Sequence, residues 1–224
     1  IGKVSTQLPE PYREVTLGMM DRVTIAPGEP AATDGDPQGH FVLLQRAMAE
    51  QQVARMRYRS LFDHGSIQTE FHPYHLHFAK RAWYAIGHSV KHGETRTFKL
   101  DRMTELEITD KPFTLDSAFS IDDHLGLAWA LIPEGEVHEI ELRFEPKVAA
   151  NVAEVRWHKT QTHRMEPDGR CRMWFRVDGL NEITWWLLGY GDQVFVERPE
   201  ALRHRLAEVH RAAADLLTTA EPTR

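Results

Sequence analysis

Three stretches, FHPY at residues 71–74, WYA at 83–85 and TRTFKLDR at 95–102, decide how the first half of the chain is predicted to fold. A proline marks the entry to one strand, a Trp-Tyr pair lies in the next, and the last stretch alternates polar with apolar residues. Side chains alternate between the two faces of a strand, so Arg96 is in phase with Phe98. An arginine on the apolar side of a strand needs an anion or several hydrogen-bond acceptors. The pattern therefore predicts a binding site within a folded sheet.

The composition is that of a globular chain with more acidic than basic residues. The chain has 224 residues, of which 42% are hydrophobic, and its formal net charge is −6. No apolar run is long enough to span a bilayer, and the first 18 residues lack the apolar core of a signal peptide. The single cysteine, Cys171, excludes an intrachain disulfide and an all-cysteine metal site. We therefore expect a cytoplasmic protein of one or two domains with no membrane partner.

The basic residues are concentrated in one segment of this acidic chain. Residues 55–102 contain nine Lys or Arg, four Asp or Glu and six of the thirteen histidines, which gives the segment a charge of about +5. A local excess of positive charge indicates a surface that faces anions. A solvated sheet face with ordinary lysines and arginines has the same charge, so both interpretations stay open at this stage.

The periodicities divide the chain into a connector and two folded units. Residues 1–40 contain several Pro and Gly and predict a linker from an upstream domain, because Ile1 is not an initiator methionine. A helix and short strands joined by tight turns predict a small barrel over 41–132. A second unit over 137–217 has the order β-α-β-β-α-β of a ferredoxin-like fold, followed by a helix. The predicted class is α+β, with an exposed joint at 132–135.

The predicted last helix carries an apolar stripe at helical spacing. Its members are Leu202, Leu206, Val209, Ala213 and Leu216. The pair Trp185-Trp186, in the helix before it, is expected in the core of the second unit or in a dimer interface.

Several of these residues resemble the WYL domain family. In the first unit the resemblance rests on Tyr58, His72-Pro73, Trp83-Tyr84-Ala85 and Arg96-x-Phe98-x-Leu100-x-Arg102. The second unit resembles the C-terminal extension of that family, through Phe144-Glu145-Pro146, Trp157, a Trp-Leu-Leu-x-x-Gly segment from Trp186 to Gly191, and Pro199-x-x-Leu202. The resemblance covers residues 40–217. Ala85 departs from the tripeptide that names the family, where leucine is expected.

This resemblance implies a fold, a function and partners. The fold is an Sm/SH3-like β-barrel followed by a ferredoxin-like extension. The function is that of a bacterial transcriptional regulator, which binds a nucleotide-like or single-stranded nucleic-acid ligand and relays that binding to promoter DNA. The DNA contact belongs to a winged helix-turn-helix outside the present sequence, and the assembly is a homodimer.

Two arginines are the leading candidates for contact with a phosphate-bearing ligand. A guanidinium fork matches phosphate oxygens with two parallel hydrogen bonds, which favours Arg96 and Arg102. A structural salt bridge to Asp101, Glu105 or another acid is the alternative for both.

Four further candidates are aromatic or polar. Tyr58 and Ser60 share a strand face and could offer hydroxyls to a ligand, although a core tyrosine with a satisfied hydroxyl fits the same pattern. His72 is expected to form a polar pocket wall, and Trp83 could stack on a base. Tyr84 points to the opposite face from Trp83 and is expected in the core.

No metal, cofactor or catalytic centre is predicted. The histidines at 72, 75, 77 and 88 do not have the recurring spacing that supplies three or four zinc ligands. The chain has no Gly-rich phosphate loop, no G-x-S-x-G and no H-E-x-x-H. Two other functions stay open: a protein–protein module that couples subunits without a small ligand, and a nucleic-acid-processing enzyme, because small barrels host many functions.

Overall fold

The computed structural model describes residues 36–60 and 65–219. They form two compact units, which divide between Thr114 and Leu115. Each unit contains one antiparallel sheet with helices, so the fold class is α+β, as predicted. Of the connector predicted over 1–40, residues 1–35 lie outside the described part of the chain. Residues 37–40 belong to a helix rather than to a connector.

The first unit consists of a helix followed by five strands. Its elements are α1 (Pro37–Glu50), β1 (Gln52–Ser60), β2 (Gly65–Ala79), β3 (Ala82–Ser89), β4 (Glu94–Lys99), a 3₁₀ turn (Leu100–Arg102) and β5 (Met103–Pro112). The strands pair in the order β4-β3-β2-β1-β5. Asp36 caps α1, because its carboxylate accepts a hydrogen bond from the backbone N–H of Gly39 at 2.9 Å, and Pro37 occupies the first helical position.

Alternation along β1 separates the core of the first unit from solvent. Met56 and Tyr58 are buried, whereas Arg55 and Arg57, which alternate with them, are exposed, so this strand has one basic face. The buried side chains that pack with Met56 and Tyr58 come from the helix and every strand. They are Leu44, Ala54, Ile67, Phe71, Ala85, Phe98, Leu100 and Met103.

The second unit follows the predicted order of elements. It contains a short helix α2 (Ile121–Leu125), then β6 (Val137–Phe144), α3 (Pro146–Ala153), β7 (Thr162–Met165), β8 (Cys171–Asp178), α4 (Asn181–Leu188), β9 (Val194–Arg198) and α5 (Glu200–Thr219). Its strands pair in the order β7-β8-β6-β9. From β6 to β9 the order is β-α-β-β-α-β, and α5 is the predicted final helix.

An aromatic cluster fills the core of the second unit. Trp186 packs against Trp129 at 4.8 Å between ring centroids, against Trp157 at 5.1 Å and against Tyr190 at 5.3 Å. The two adjacent tryptophans therefore differ in their surroundings. Trp186 lies in the core, whereas Trp185 is 74% exposed.

A buried carboxylate fastens the segment before β6 to the second unit. Glu182, on α4, accepts hydrogen bonds from the backbone N–H groups of Ala130, Leu131 and Ile132 at 2.9, 2.9 and 3.2 Å. Backbone amides that leave water need an acceptor, and one carboxylate supplies it for all three.

Two more carboxylates, those of Asp178 and Glu134, also link the segment before β6 to the second unit by hydrogen bonds. Asp178 accepts from the three consecutive backbone N–H groups of residues 134–136 at 2.7 to 3.1 Å. In return, the Glu134 carboxylate accepts from the backbone N–H groups of Leu180 and Asn181 at 3.3 and 2.9 Å. We expected the first unit to extend to residue 132. The structure divides the chain at 114/115 because the backbone of 130–136 is bonded to the second unit.

Replacing Glu182 by alanine should therefore destabilise the second unit. Three amides would lose their shared, charged acceptor, which should cost at least ~2 kcal/mol of unfolding free energy, or roughly 8 °C in melting temperature for a unit of this size. Thermal unfolding followed by circular dichroism measures the change.

Glu139→Ala is the matched control for this variant. Glu139 makes only an exposed ion pair with Arg176 at 3.0 Å, so its removal should change stability by less than ~1 kcal/mol. Equal melting temperatures for the two variants would contradict a structural role for the Glu182 bonds.

Candidate ligand-contact residues

The six predicted contact residues do not form one cluster. Tyr58 pairs with Ile67 in the β1–β2 register, and His72 pairs with His88 in the β2–β3 register. Ile67 and His72 are five residues apart on β2, so they lie on opposite faces of the sheet. A single pocket on one face cannot include both Tyr58 and His72.

Tyr58 occupies the core rather than a pocket wall. Its side chain is 7% exposed, and its ring lies edge-on to Phe98 at 4.9 Å. The tyrosine hydroxyl accepts a hydrogen bond from the backbone N–H of Lys99 at 3.3 Å. The sequence left a core tyrosine with a satisfied hydroxyl as an alternative, and this geometry matches it. Ser60, the last residue of β1, is partly buried.

Arg102 lies at the end of the 3₁₀ turn, beside Tyr58. The next residue, Met103, is the β5 partner of Tyr58. Arg102 is partly buried, and its side chain makes no ion pair or hydrogen bond with residues 36–60 and 65–219. Asp101, the acid that sequence reasoning offered as a partner, is paired with Lys99 at 3.0 Å instead.

Arg96 is more exposed than its phase in the strand predicted. Its side chain is 50% exposed and forms an ion pair with Glu94 at 2.5 Å. Its neighbour across the sheet is Gly87, and the Phe71 ring and the His72 carbonyl fill the space where a side chain of Gly87 would lie. The salt-bridge alternative for this half-exposed guanidinium is therefore observed, with Glu94 as the acid.

Trp83 belongs to an aromatic group at the tip of the β2–β3 hairpin. It contacts Phe41 of α1 at 4.6 Å and Phe78, its cross-strand partner, at 5.2 Å. The residues between these strands, Lys80 and Arg81, both have positive φ angles, 47° and 62°. Sequence reasoning missed Phe41 and Phe78, because only the hairpin register and the placement of α1 bring them to Trp83.

His72 lies on the outer face and is partly covered there. Its ring stacks on Phe113 at 5.1 Å and lies 5.4 Å from the ring of His88. Burial lowers the pKa of His72 below its ordinary value, and the nearby His88 lowers it further, while the Glu70 carboxylate acts in the opposite direction. The neutral imidazole is therefore favoured.

The basic face of β1 is neutralised by the neighbouring strand. A depression of about 350 Å³ lies over this face, lined by Arg55, Arg57, Gln68, Glu105 and Glu107 together with Met56 and Leu106. Arg55 pairs with Glu107 at 2.5 Å and Arg57 with Glu105 at 3.4 Å. Both acids belong to β5, after the basic segment in the sequence. This surface is therefore a solvated face with mixed charge.

The described residues show no arrangement suited to covalent catalysis. Ser89 Oγ and His92 Nδ1 are 2.8 Å apart, the geometry of a serine and its base, but Ser89 is fully buried and no substrate could reach it. Burial raises the pKa of the Cys171 thiol, which disfavours a thiolate nucleophile. Within 36–60 and 65–219 no three His, Cys, Asp or Glu residues are grouped to hold a metal ion.

Comparison with protein families identifies both units. Residues 39–108 match the WYL domain, and residues 136–214 match the WCX domain. The two matches lie in the two separate units of the fold, in the order predicted from the sequence. The chain therefore belongs to the WYL-domain proteins and carries a WYL domain followed by a WCX domain.

Two solved structures are similar to the chain. Proteasome accessory factor B/C (PafBC) of Arthrobacter aurescens is 20% identical over 87% of this chain and 29% of its own, with a TM-score of 0.38. A CRISPR Cas-related protein is 9% identical over 79% of this chain and 50% of its own, with a TM-score of 0.51. The chain thus spans less than a third of the first protein and half of the second, and the second shares its fold. A search of curated proteins found no match.

None of the helices in the described part of the chain combines the length and the apolar character needed to cross a membrane.

The lowered pKa of His72 predicts how acid affects the first unit. The unfolded histidine takes up a proton near pH 6.5, while the folded one does so only at lower pH. Between these two values the unfolded state binds more protons, so stability should fall as the pH drops through 6.5. His40 and His77, whose pKa values burial also lowers, act in the same direction.

Replacing His72 by asparagine should reduce this loss of stability. Chemical denaturation at several pH values between 8 and 5 measures it, and the same substitution at the exposed His163 in the second unit is the matched control. An unchanged pH profile for His72→Asn would contradict the assignment.

Proposed function

We propose that the chain is the ligand-sensing and dimerising part of a bacterial, cytoplasmic transcriptional regulator of the WYL family. The WYL domain would bind a phosphate-bearing ligand, and the WCX domain would join two copies. Promoter DNA would be bound by a winged helix-turn-helix outside the present sequence. The tandem of the two matched domains on two separate units supports this proposal.

The strand orders support the finer fold assignments that belong to the proposal. A helix followed by five strands in the order β4-β3-β2-β1-β5 is consistent with an Sm/SH3-like barrel. The β-α-β-β-α-β unit, with β6 and β8 at the centre of its sheet, is consistent with a ferredoxin-like fold.

Arg102 is the single observation that favours an anionic ligand. A guanidinium cannot lose its proton, and removal from water costs free energy unless acceptors replace the water. Arg102 is partly buried and has no acceptor among the described residues, whereas Arg96, Lys99 and Arg57 each have a carboxylate. A phosphate is the anion whose oxygens match the guanidinium fork.

The other candidates take secondary roles in this proposal. Ser60 lies two residues after Tyr58, so its hydroxyl is on the same strand face and at the same end of β1 as the Arg102 turn. Arg96 would contact the ligand only if the ligand replaced Glu94 as its ion-pair partner. Trp83 would offer an exposed ring on which a base could stack. It is well separated from Arg102 in the sequence.

The charge distribution limits the number of phosphates that are held. Carboxylates pair with Arg55 and Arg57 on the outer face of β1. A broad positively charged surface that would hold many phosphates is therefore not expected. For a single-stranded ligand the logarithm of affinity falls with the logarithm of salt by about 0.7 per neutralised phosphate. We therefore expect the affinity to fall only weakly as the salt concentration rises, and we expect Arg102 to account for about one neutralised phosphate.

A protein–protein module without a small ligand is the second candidate. The neutralised outer face and the core position of Tyr58 favour it, because both remove features that a large ligand site would use. A nucleic-acid-processing enzyme is the third, and the buried Ser89 gives it no support.

Truncating Arg102 separates the first two candidates. Arg102→Ala should weaken binding of a fluorescently labelled oligothymidylate about ten- to a hundredfold, because a charge-assisted contact is worth ~1.5–3 kcal/mol and a tenfold change is 1.4 kcal/mol. Fluorescence anisotropy measures the affinity, and competition with a cyclic nucleotide shows whether a mononucleotide suffices. The melting temperature should change little, because the variant loses no side-chain hydrogen bond or ion pair to the described part of the chain.

Arg46→Ala is the matched control for this experiment. Arg46 is an exposed arginine of α1 that pairs with Glu50 one turn later, so its loss should leave affinity unchanged. If neither probe binds the parent protein, or if Arg102→Ala binds as the parent does, the ligand proposal fails and the interaction module is favoured.

A further inference from the structure

The last helix continues well beyond the surface on which it packs. Of the 20 residues of α5, only Leu202 and Leu206 are buried. Every residue from 208 to 219 is exposed, including Leu216 at 72% and Leu217 at 83%. These 12 residues therefore have little tertiary support in one copy of the chain. Isolated helices of ~12–15 residues are only marginally stable in water.

The exposed half of α5 continues the apolar face of its buried half. Apolar residues recur after four, three, four and three positions, a heptad spacing that keeps them on one side of the helix. They are Leu202, Leu206, Val209, Ala213 and Leu216. Leu217 lies four residues after Ala213 and widens this side. The charged residues Glu208, Arg211 and Asp215 lie on the opposite side at 100° per residue.

The neighbouring helix adds an exposed tryptophan. Asn181 of α4 accepts a hydrogen bond from Arg205 of α5 at 2.5 Å. Arg205 precedes Val209 by four residues and so lies one turn away on the same side of α5. Trp185 follows Asn181 by four residues and is the most exposed tryptophan among the described residues. The exposed apolar face of α5 and Trp185 together form the α5 patch.

We propose that the α5 patch is the contact through which two copies of this chain form a homodimer, with α5 crossing its symmetry mate near Ala213. This inference rests on the dimer in the proposed function and names its surface. An isologous contact uses the same patch on both copies. The small side chain at 213 lets two helix backbones approach closely between the larger side chains of Val209 and Leu216.

The charges favour a second copy over other occupants. A helix that binds an anionic membrane carries many Lys and Arg on its polar side. The polar side of the exposed half carries two acids and one arginine, Glu208, Asp215 and Arg211. Nucleic acid is disfavoured for the same reason. Within the exposed half, residues 208–219, no charged side chain lies on the apolar side, so two identical faces can meet there without burying like charges.

A double substitution on the patch tests the contact. Leu216→Glu with Leu217→Glu should raise the dimer dissociation constant at least a hundredfold, because four leucines would lose their burial and four carboxylates would need water. Analytical ultracentrifugation of the 224-residue chain across the micromolar range measures it. Circular dichroism confirms that the sheet core, which does not include these residues, is still folded.

Thr218→Glu with Thr219→Glu is the matched control. It adds the same charge to the same turn of α5, but on the side away from the patch. This variant should dimerise within about threefold of the parent chain, well under one factor of ten in affinity.

A cysteine placed at the crossing point gives an independent test. Ala213→Cys should form an intermolecular disulfide under mild oxidation, because residues near the two-fold axis approach within disulfide range, about 4.4–6.8 Å between Cα atoms. Asp215→Cys, on the far side of the helix, should not. The natural Cys171 is buried and does not interfere.

The outcomes distinguish this inference from the proposed function. A dimer that survives Leu216→Glu with Leu217→Glu, or that crosslinks through Asp215→Cys as readily as through Ala213→Cys, overturns the α5 contact and leaves the regulator proposal standing. A parent chain that is monomeric throughout overturns both the contact and the proposed dimer. Sedimentation of that monomer with phosphatidylcholine–phosphatidylserine vesicles would assign the patch to a membrane instead.

Discussion

β1 lies between β2 and β5, and its pairing with β5 joins segments that are far apart in the sequence. This pairing places Glu105 and Glu107 beside Arg57 and Arg55, and it converts a strongly basic strand into a face of mixed charge. The same register places Met103 opposite Tyr58, which brings the 3₁₀ turn and Arg102 to the end of the core. The surface charge of the first unit and the position of the proposed anion contact, Arg102, both follow from this one ladder.

The second unit depends on a different constraint, the need of backbone amides for acceptors where a loop crosses a folded core. Glu182, Asp178 and Glu134 satisfy eight amides between them. Side chains at the tips of β8 and α4 can do this because a carboxylate oxygen accepts several hydrogen bonds at once. The loop before β6 is therefore attached to the second unit, even though its sequence, Pro and Gly between two cores, is typical of a free joint.

The periodic features were predictable from the sequence because they are local. The alternation of β1, the order of elements in the second unit and the stripe of α5 each depend on residues a few positions apart. The candidate site was less predictable, because its charges are set by partners across the sheet. Phase alone placed Arg96 on the apolar side, but its side chain is half exposed and paired with Glu94. Net charge over 55–102 indicated an anion-facing surface, but Glu105 and Glu107, which pair with Arg57 and Arg55, lie outside that window.

The proposed ligand contact lies in the first unit and the proposed dimer contact in the second, and the chain that follows Thr114 is one connection between them. A coupling free energy requires an element with two arrangements that both sites bias. Residues 130–136 are poor candidates, because their amides are held by carboxylates of the second unit, and Ala128 is bridged to Asp178. The carbonyl of Leu127 also accepts a hydrogen bond from the backbone N–H of Asp178, at 2.7 Å. The stretch from Thr114 to Gly126 remains, and it contains the short helix α2, capped by Ser120. In a regulator of the proposed kind, a ligand at Arg102 that favours one arrangement of this stretch would act on the dimer through it.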